Sequence, residues 1–237
     1  MSALQKTLED AVIFDLAQEE LRSLNAALQG LEPKTNRTEW RVLNPRGAHA
    51  IAVGVTAPVA ITIAGHAGYY CAGMNDGAAI TIQGNAGTGV AENMMSGLVH
   101  VKGDASQSAG ATAHGGLLII DGNAAARCGI SMKGIDIVVK GNAGHMSAFM
   151  AQSGNLVICG DAGEALGDSL YEARLFVKGS VKSLGADCEV KEMSTEDKEI
   201  LAGLLKQAGC SEKPEEFTRY GSARTLYHFH VDNAGAY

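Results

Sequence analysis

Between residues 59 and 190 the apolar positions of the chain return every 19 residues. Each unit carries two aliphatic residues two apart and a glycine two further on. They are Ile61 and Ile63 before Gly65, Ile80 and Ile82 before Gly84, Val99 and Val101 before Gly103, Leu118 and Ile120 before Gly122, Ile137 and Val139 before Gly141, Leu156 and Ile158 before Gly160, and Leu175 and Val177 before Gly179. An apolar-x-apolar-x-Gly run predicts a short strand with one face inward, ended by a turn. The residue after each glycine suits a turn (His66, Asn85, Asp104, Asn123, Asn142, Asp161, Ser180), and Ala follows it in all units but the last, which has Val181.

A unit this small cannot bury its own apolar face, so neighbouring units must stack and share one core. The leucine-rich framework is missing and the helical repeats have longer periods, which leaves an all-β fold, a right-handed parallel β-helix of about seven 19-residue coils. At ~4.8 Å per coil its length is about 34 Å. Small residues form two more columns. One, three after each glycine, holds Gly68, Gly87, Ser106, Ala125, Gly144 and Gly163; the other, seven after, holds Ala72, Ala91, Gly110, Gly129, Ala148, Gly167 and Ala186. Sharp turning between coils leaves little room for a Cβ there. Lys182 breaks the first column and marks the last coil as a cap.

The flanks differ in kind. Leu16, Leu21, Leu24 and Leu28, with Asp15 as cap and Gly30 as stop, predict one amphipathic helix of about 14 residues, preceded by apolar Val12, Ile13 and Phe14. Trp40 and Val42, then Ile51, Val53 and Val55, alternate as strands around the turn Asn44-Pro45-Arg46-Gly47 and are expected to close the open end of the first coil. The register of that coil is left open. Near the other end, Thr195 with Glu196 and Asp197 starts a helix carrying Ile200, Leu201, Leu204 and Leu205 and stopping at Gly209; Pro214 opens a shorter helical turn. Thr225 to Val231 alternates as a strand expected to dock. The domain reading is a helix and linker over 1–38, a β-helix with leading strands over 39–190, and a C-terminal helix and tail over 191–237.

A net charge of −7 over 237 residues argues against a nucleic-acid partner. No run of 18 apolar residues predicts a membrane span, and no leader is apparent. Cys71, Cys128, Cys159, Cys188 and Cys210 are odd in number, widely spaced and without a C-x-x-C pair. Neither a disulfide framework nor a zinc or iron–sulfur site is indicated, and a reducing cytoplasm is expected.

Candidate chemistry is sparse. A glutaminase with an N-terminal nucleophile needs a Cys at its start, whereas this sequence opens Met1-Ser2. Gly84-Asn-Ala-Gly87-Thr-Gly89 has the look of a phosphate loop, but the repeat already accounts for its glycines. The column Asn85, Asp104, Asn123, Asn142 and Asp161 reads as turn residues satisfying backbone groups rather than as a calcium ladder. His228 and His230 lack a third ligand nearby in sequence, and Asp121, Asp136 and Asp168 fall in different columns. Lys102, Lys140 and Lys178 stand just before anchor glycines and read as solvated outer positions. The expectation is no catalytic, cofactor-binding or metal residue on this chain, with Gly65, Gly84, Gly103, Gly122, Gly141, Gly160 and Gly179 as its structural signature.

The G-x-x-G-x-x-x-G form of the units, as in Gly160-Asp-Ala-Gly163-Glu-Ala-Leu-Gly167, resembles the C-terminal domain (GXGXG repeat) of the glutamate synthase large subunit and the free-standing subunits related to it, over about residues 40 to 190. The ending Gly221-Ser-Ala-Arg224-Thr-Leu-Tyr227 is similar to tails of the stand-alone subunits, such as the β-helix subunit of N-methylglutamate synthase. The resemblance implies a non-catalytic spacer in an oxidoreductase complex of amino-acid metabolism. Its partners would be a glutaminase-type amidotransferase subunit and an FMN-binding synthase subunit, the FMN and an iron–sulfur cluster residing on the partner. The alternative is the β-helix subunit of a complex of the formylmethanofuran dehydrogenase or formyltransferase type.

Overall fold

The computed structural model describes residues 11–225. The strand expected from Thr225 to Val231, and with it His228 and His230, lies outside them except for Thr225. Nine strands run in parallel, each beside the next: β1 (Val12–Asp15), β2 (Glu39–Leu43), β3 (Ala60–Ile63), β4 (Asp76–Ile82), β5 (Ser96–Val101), β6 (Leu117–Ile120), β7 (Lys133–Val139), β8 (Ser153–Ile158) and β9 (Arg174–Val177). From β3 onward the register is fixed at 19: Ile61 pairs with Ile80, Ile80 with Val99, Val99 with Leu118, and so on to Leu175. A second line of parallel bridges runs through Ala67, Ala86, Ala105, Ala124, Ala143, Ala162 and Val181. The described residues form a parallel β-solenoid of about seven turns with two α-helices. Among the described residues no helix is long and apolar enough to cross a membrane.

Both aliphatic columns point inward, and every member from Ile61 and Ile63 to Leu175 and Val177 is at most 1% exposed. Shortly before each of β5 to β9, Met94, Ala113, Met132, Ala151 and Leu170, 19 apart, are all buried. Large and small residues alternate along the axis there, so adjacent coils interdigitate. In the first full coil this place belongs to the buried Asn75, whose amide donates to the carbonyls of Ala78 (2.9 Å) and Ser96 (3.1 Å) and accepts from the Ala78 N–H (3.2 Å). A buried amide is tolerated because its groups are paired.

The corner of each coil uses left-handed backbone at alternate residues, as in Tyr70, Ala72 and Met74, in Gly89, Ala91 and Asn93, and in Arg127, Gly129 and Ser131. Most of these are not glycine, although the conformation is costly for an L-residue. The small column seven after the anchor therefore owes its composition to both burial and backbone conformation, since Ala72, Ala91 and Ala148 are fully buried.

The same signature corrects the reading of Ile51 to Val55. Ala50, Ala52 and Gly54 have φ near +55° to +65°, so this stretch is a corner and not a strand. The corner buries Ile51, Ala52 and Val55 and leaves Val53 half-buried, a pattern unlike the alternation of a strand. Residues 39 to 58 thus form a first coil whose register is set by Trp40 against Ile61 and Val42 against Ile63, a step of 21 rather than 19.

The end of the solenoid is closed instead by β1 and by α1 (Leu21–Gln29). The helix is shorter than predicted, because Asp15 is consumed as the last residue of β1, opposite Leu43. Its carboxylate accepts from the Ala17 N–H (2.9 Å) in an intervening turn, and the helix starts only after Glu20. Leu24 and Leu28 enter the core, while Asn25 donates to the Ala50 carbonyl (2.8 Å) and accepts from the Ala52 N–H (3.0 Å). The last coil carries on the bridge column through Val181, but β10 (Cys188–Lys191) does not stack on β9. The returning strand β11 (Thr218–Ser222) lies between them, antiparallel to both. Val190 therefore belongs to an outer edge, not to a further coil.

Helix α2 (Thr195–Ala208) runs as the sequence predicts, with its N-cap one residue earlier at Ser194. A capping box joins Ser194 and Asp197, and Gly209 closes the helix in the left-handed conformation. It packs Leu201, Leu204, Leu205 and Ala208 against Ile119, Val138, Val157 and Phe176 on the outer face of β6 to β9. In the earlier coils the same outer position is polar, with Thr62, Thr81 and His100. The solenoid is thus sheathed by a helix over its C-terminal half.

The anchor glycines lie where one coil touches the next. The Gly103 N–H donates to the Gly84 carbonyl (3.1 Å), and the pattern repeats through Gly122, Gly141, Gly160 and Gly179 at 2.9–3.0 Å. The turn residue of each coil accepts, through its side chain, the backbone N–H of its counterpart in the following coil. Asn85 takes that of Asp104 (3.0 Å), Asp104 that of Asn123 (2.7 Å), Asn123 that of Asn142 (2.9 Å), Asn142 that of Asp161 (2.7 Å) and Asp161 that of Ser180 (2.7 Å); His66 opens the series with Nδ1 on Asn85 (2.9 Å). The satisfied group is in the next coil, not in the residue's own turn. A Cβ on Gly122 would fall against Asp104 Oδ1 and 2.9 Å from the Gly103 carbonyl oxygen, whereas one on Gly203, inside α2, meets nothing within 4 Å. Gly122→Ala is therefore expected to lower the unfolding free energy by about 1–3 kcal/mol, and Gly203→Ala to raise it by about 0.5–1 kcal/mol. Urea melts of the two variants check this, and equal effects would contradict it.

Candidate functional site

The position just before each anchor glycine points outward, being one step from the inward column. Reading along the solenoid it holds Lys102, Asp121, Lys140, Cys159 and Lys178. The lysines are not merely solvated. Asp121 receives Lys140 Nζ at 2.7 Å, Lys102 Nζ at 3.4 Å and His100 Nε2 at 2.9 Å, and His100 lies 3.2 Å from Lys102. Burial pushes the Asp121 carboxyl up, but its bonds to Lys140 and His100 and their charges outweigh that and hold it at about 2.

The residues after α2 complete the ridge. Lys178 Nζ reaches Glu216 at 3.1 Å and Glu212 at 3.7 Å, and its bond to Glu216 raises its pKa. Cys159 meets Cys210 and Glu212, and the three ligand atoms lie within 4.8 Å of one another. Burial first, then Cys210 and Glu212, push the Cys159 thiol up to about 12. Burial likewise raises Cys210, against the nearby charge of Lys140. Cys71 and Cys128, buried in the core, are also pushed up to about 12. None of these thiols is poised as a nucleophile at neutral pH. Among the described residues no hydrogen bond joins His100 to a hydroxyl or a thiol, so its contact with Asp121 lacks the nucleophile of a catalytic triad.

A second polar cluster surrounds Asp197, which binds Ser194 through backbone (3.0 Å) and hydroxyl (2.7 Å) and lies near Arg219 (3.4 Å) and Arg174 (3.6 Å). Burial raises this carboxyl, and the Ser194 bonds together with both guanidiniums bring it below its ordinary value. The cluster borders a cleft of about 280 Å³ lined by Arg174, Lys191, Arg219, Arg224 and Glu172. Its cations are paired: Arg224 with Glu172, Arg174 with Glu196, Lys191 with Glu189.

Of the residues singled out by sequence, Asp121 joins the lysine ridge, Asp136 is partly buried with its pKa raised by burial while accepting from Asn155 (2.7 Å), and Asp168 accepts from Ser169 (2.8 Å) and the Ala186 N–H (3.2 Å). They sit in three separate settings. The glycines of Gly84 to Gly89 are explained by stacking: a Cβ on Gly87 would stand 2.5 Å from the Gly68 carbonyl carbon, and Gly89 is left-handed. Sequence reasoning missed the Cys159, Cys210 and Glu212 convergence, because 51 residues separate the two thiols. It also missed Asp121 between the lysines, although both share the 19-residue column.

Because the folded Asp121 carboxyl ionises below its unfolded value of 3.8, its contribution to stability is complete above about pH 4 and is lost as pH falls toward 2. The stability difference between the native chain and Asp121→Asn should shrink between pH 4 and pH 2. Denaturant melts at each pH check this, and a difference independent of pH would contradict it.

No protein-family model matches the chain. Among curated proteins it is similar to Protein GlxC of Rhizobium meliloti (strain 1021), with 63% identity over 226 residues that cover 95% of this chain and 99% of that protein. With identity at that level over nearly the whole of both sequences, the chain belongs to the GlxC family.

Proposed function

We propose that this chain is a non-catalytic structural subunit of a glutamate-synthase-like complex, and specifically of an N-methylglutamate synthase, which joins methylamine to glutamate and releases ammonia. In this reading it holds a glutaminase-type subunit and an FMN-containing synthase subunit in fixed relation, and the flavin and any iron–sulfur cluster belong to the partner. The observation that carries the reading is the solenoid itself. Its interior is filled by aliphatic columns, and its ionisable ridge is satisfied by mutual ion pairs rather than poised for proton or group transfer. Membership of the GlxC family and the repeat's resemblance to the glutamate synthase domain support the same assignment.

A rigid rod suits such a task. Passing ammonia or an amine between two active sites needs their separation held, and an error of ~1 Å can cost about 100-fold in rate. Bare outer positions on the early coils, with Tyr69, Met74 and Met95 exposed at the corners, give partners a surface that α2 does not occupy.

Affinity capture of the full chain from cells of its source, with identification of what co-purifies, tests the assignment. Glutaminase-type and flavin-binding chains in fixed ratio, and N-methylglutamate formation requiring all three, are expected. Recovery of a free chain indifferent to both, or of an amidohydrolase-like chain with a formyltransferase, would overturn it.

A further inference from the structure

We propose that Cys159, Cys210 and Glu212 form a binding site for one zinc-class divalent cation, with the fourth coordination position left to a solvent oxygen. The three donors come from separate parts of the fold. Cys159 follows β8 on the outer face of the solenoid, whereas Cys210 and Glu212 follow the Gly209 cap of α2. Packing of α2 on Val138, Val157 and Phe176 delivers them to one point, where all three ligand atoms lie within 4.8 Å of one another. In a tetrahedral site with Zn–S of ~2.3 Å, two sulfurs stand about 3.8 Å apart, so small side-chain rotations close the set.

The surrounding charges fit this occupant. Two thiolates and a carboxylate around a dication leave one net negative charge, and the ridge places Lys140 and Lys178 on either side of Cys159. Lys178 holds Glu216 at 3.1 Å and Glu212 only at 3.7 Å, so Glu212 can turn to a metal while Lys178 keeps its nearer partner. A disulfide would use two of the three converging donors, and a metal uses all three. The sequence reading of no metal ligand is thereby revised for these residues, whose spacing matches no zinc motif. The site would pin the end of α2 to the β-solenoid, and it does not depend on the proposed assembly.

Thiolate ligation releases the proton of each cysteine on binding, so affinity should fall steeply with acidity. The test uses the full chain, reduced and metal-free under anaerobic conditions, titrated with Zn²⁺ against a chromophoric chelator. Expected are one equivalent bound with Kd below about 1 µM at pH 7.5 and weakening of about 100-fold per pH unit lowered, from two released protons. Co²⁺ in its place should give thiolate-to-metal absorption. Zn²⁺ should protect Cys159 and Cys210 of the native chain from alkylation, read by mass spectrometry without any variant. Cys159→Ser and Cys210→Ser should abolish tight binding, Glu212→Gln should weaken it about tenfold, and Cys71→Ser should leave it unchanged. Overturning results are no tight binding by the reduced chain, binding that survives loss of Cys159, or a Cys159–Cys210 disulfide that forms in air with no metal uptake after reduction.

Discussion

The structure depends on one contact, repeated coil after coil, between the side chain of a turn residue and the backbone N–H of its counterpart 19 residues later. From Asn85 to Ser180 this contact fixes the vertical position of each turn. The Oδ1 atom that accepts the bond occupies the space where a Cβ on the following anchor would stand, and so the anchor must be glycine. Polar satisfaction and steric exclusion are here the same requirement. Once the turns are locked at a rise of one strand, the aliphatic columns below them are forced into register and the core follows.

That constraint also explains what the chain is free to vary. Inward positions interchange Ile, Val and Leu, since any aliphatic fills the column. The outer position between them is unconstrained by stacking and carries the difference between the two halves, from Thr62 and Thr81 to Val157 and Phe176. Where it turns apolar, α2 covers it; at Cys159 and Lys178, before the last two anchor glycines, the segment after α2 supplies Cys210, Glu212 and Glu216. The helical sheath and the partners of Cys159 and Lys178 are thus two consequences of one docking event, and the proposed metal site lies at its seam. A frame built this way presents two distinct flanks, one sheathed by α2 and one left uncovered by it.

The repeat was legible because its cause is local and periodic: Gly84 to Gly179 and the paired aliphatics recur at fixed spacing, and α2 announces itself by leucine periodicity and a Gly209 stop. Other features were hidden for identifiable reasons. Ile51, Val53 and Val55 alternate like a strand in sequence, yet the left-handed backbone at Ala50, Ala52 and Gly54 makes a corner that buries Ile51, Ala52 and Val55, so an apolar alternation alone does not identify the conformation. Insertion of β11 between β9 and β10 is a long-range pairing with no periodic trace. The meeting of Cys159 with Cys210 exists only after α2 has packed. The apolar switch at Ile119, Val138, Val157 and Phe176 stood in the sequence all along, one residue off the inward columns.

The claim that glycine is required because the preceding Asx side chain fills its Cβ space is tested most directly by a double-mutant cycle on Asn85 and Gly103. There the Asn85 Oδ1 is the main obstacle, while the backbone neighbours of a Cβ on Gly103 stand at 3.0 Å and beyond. Unfolding free energies of the native chain, Asn85→Ala, Gly103→Ala and the double variant should show that Gly103→Ala costs at least about 1 kcal/mol less once Asn85 is truncated. Additive costs would contradict the account.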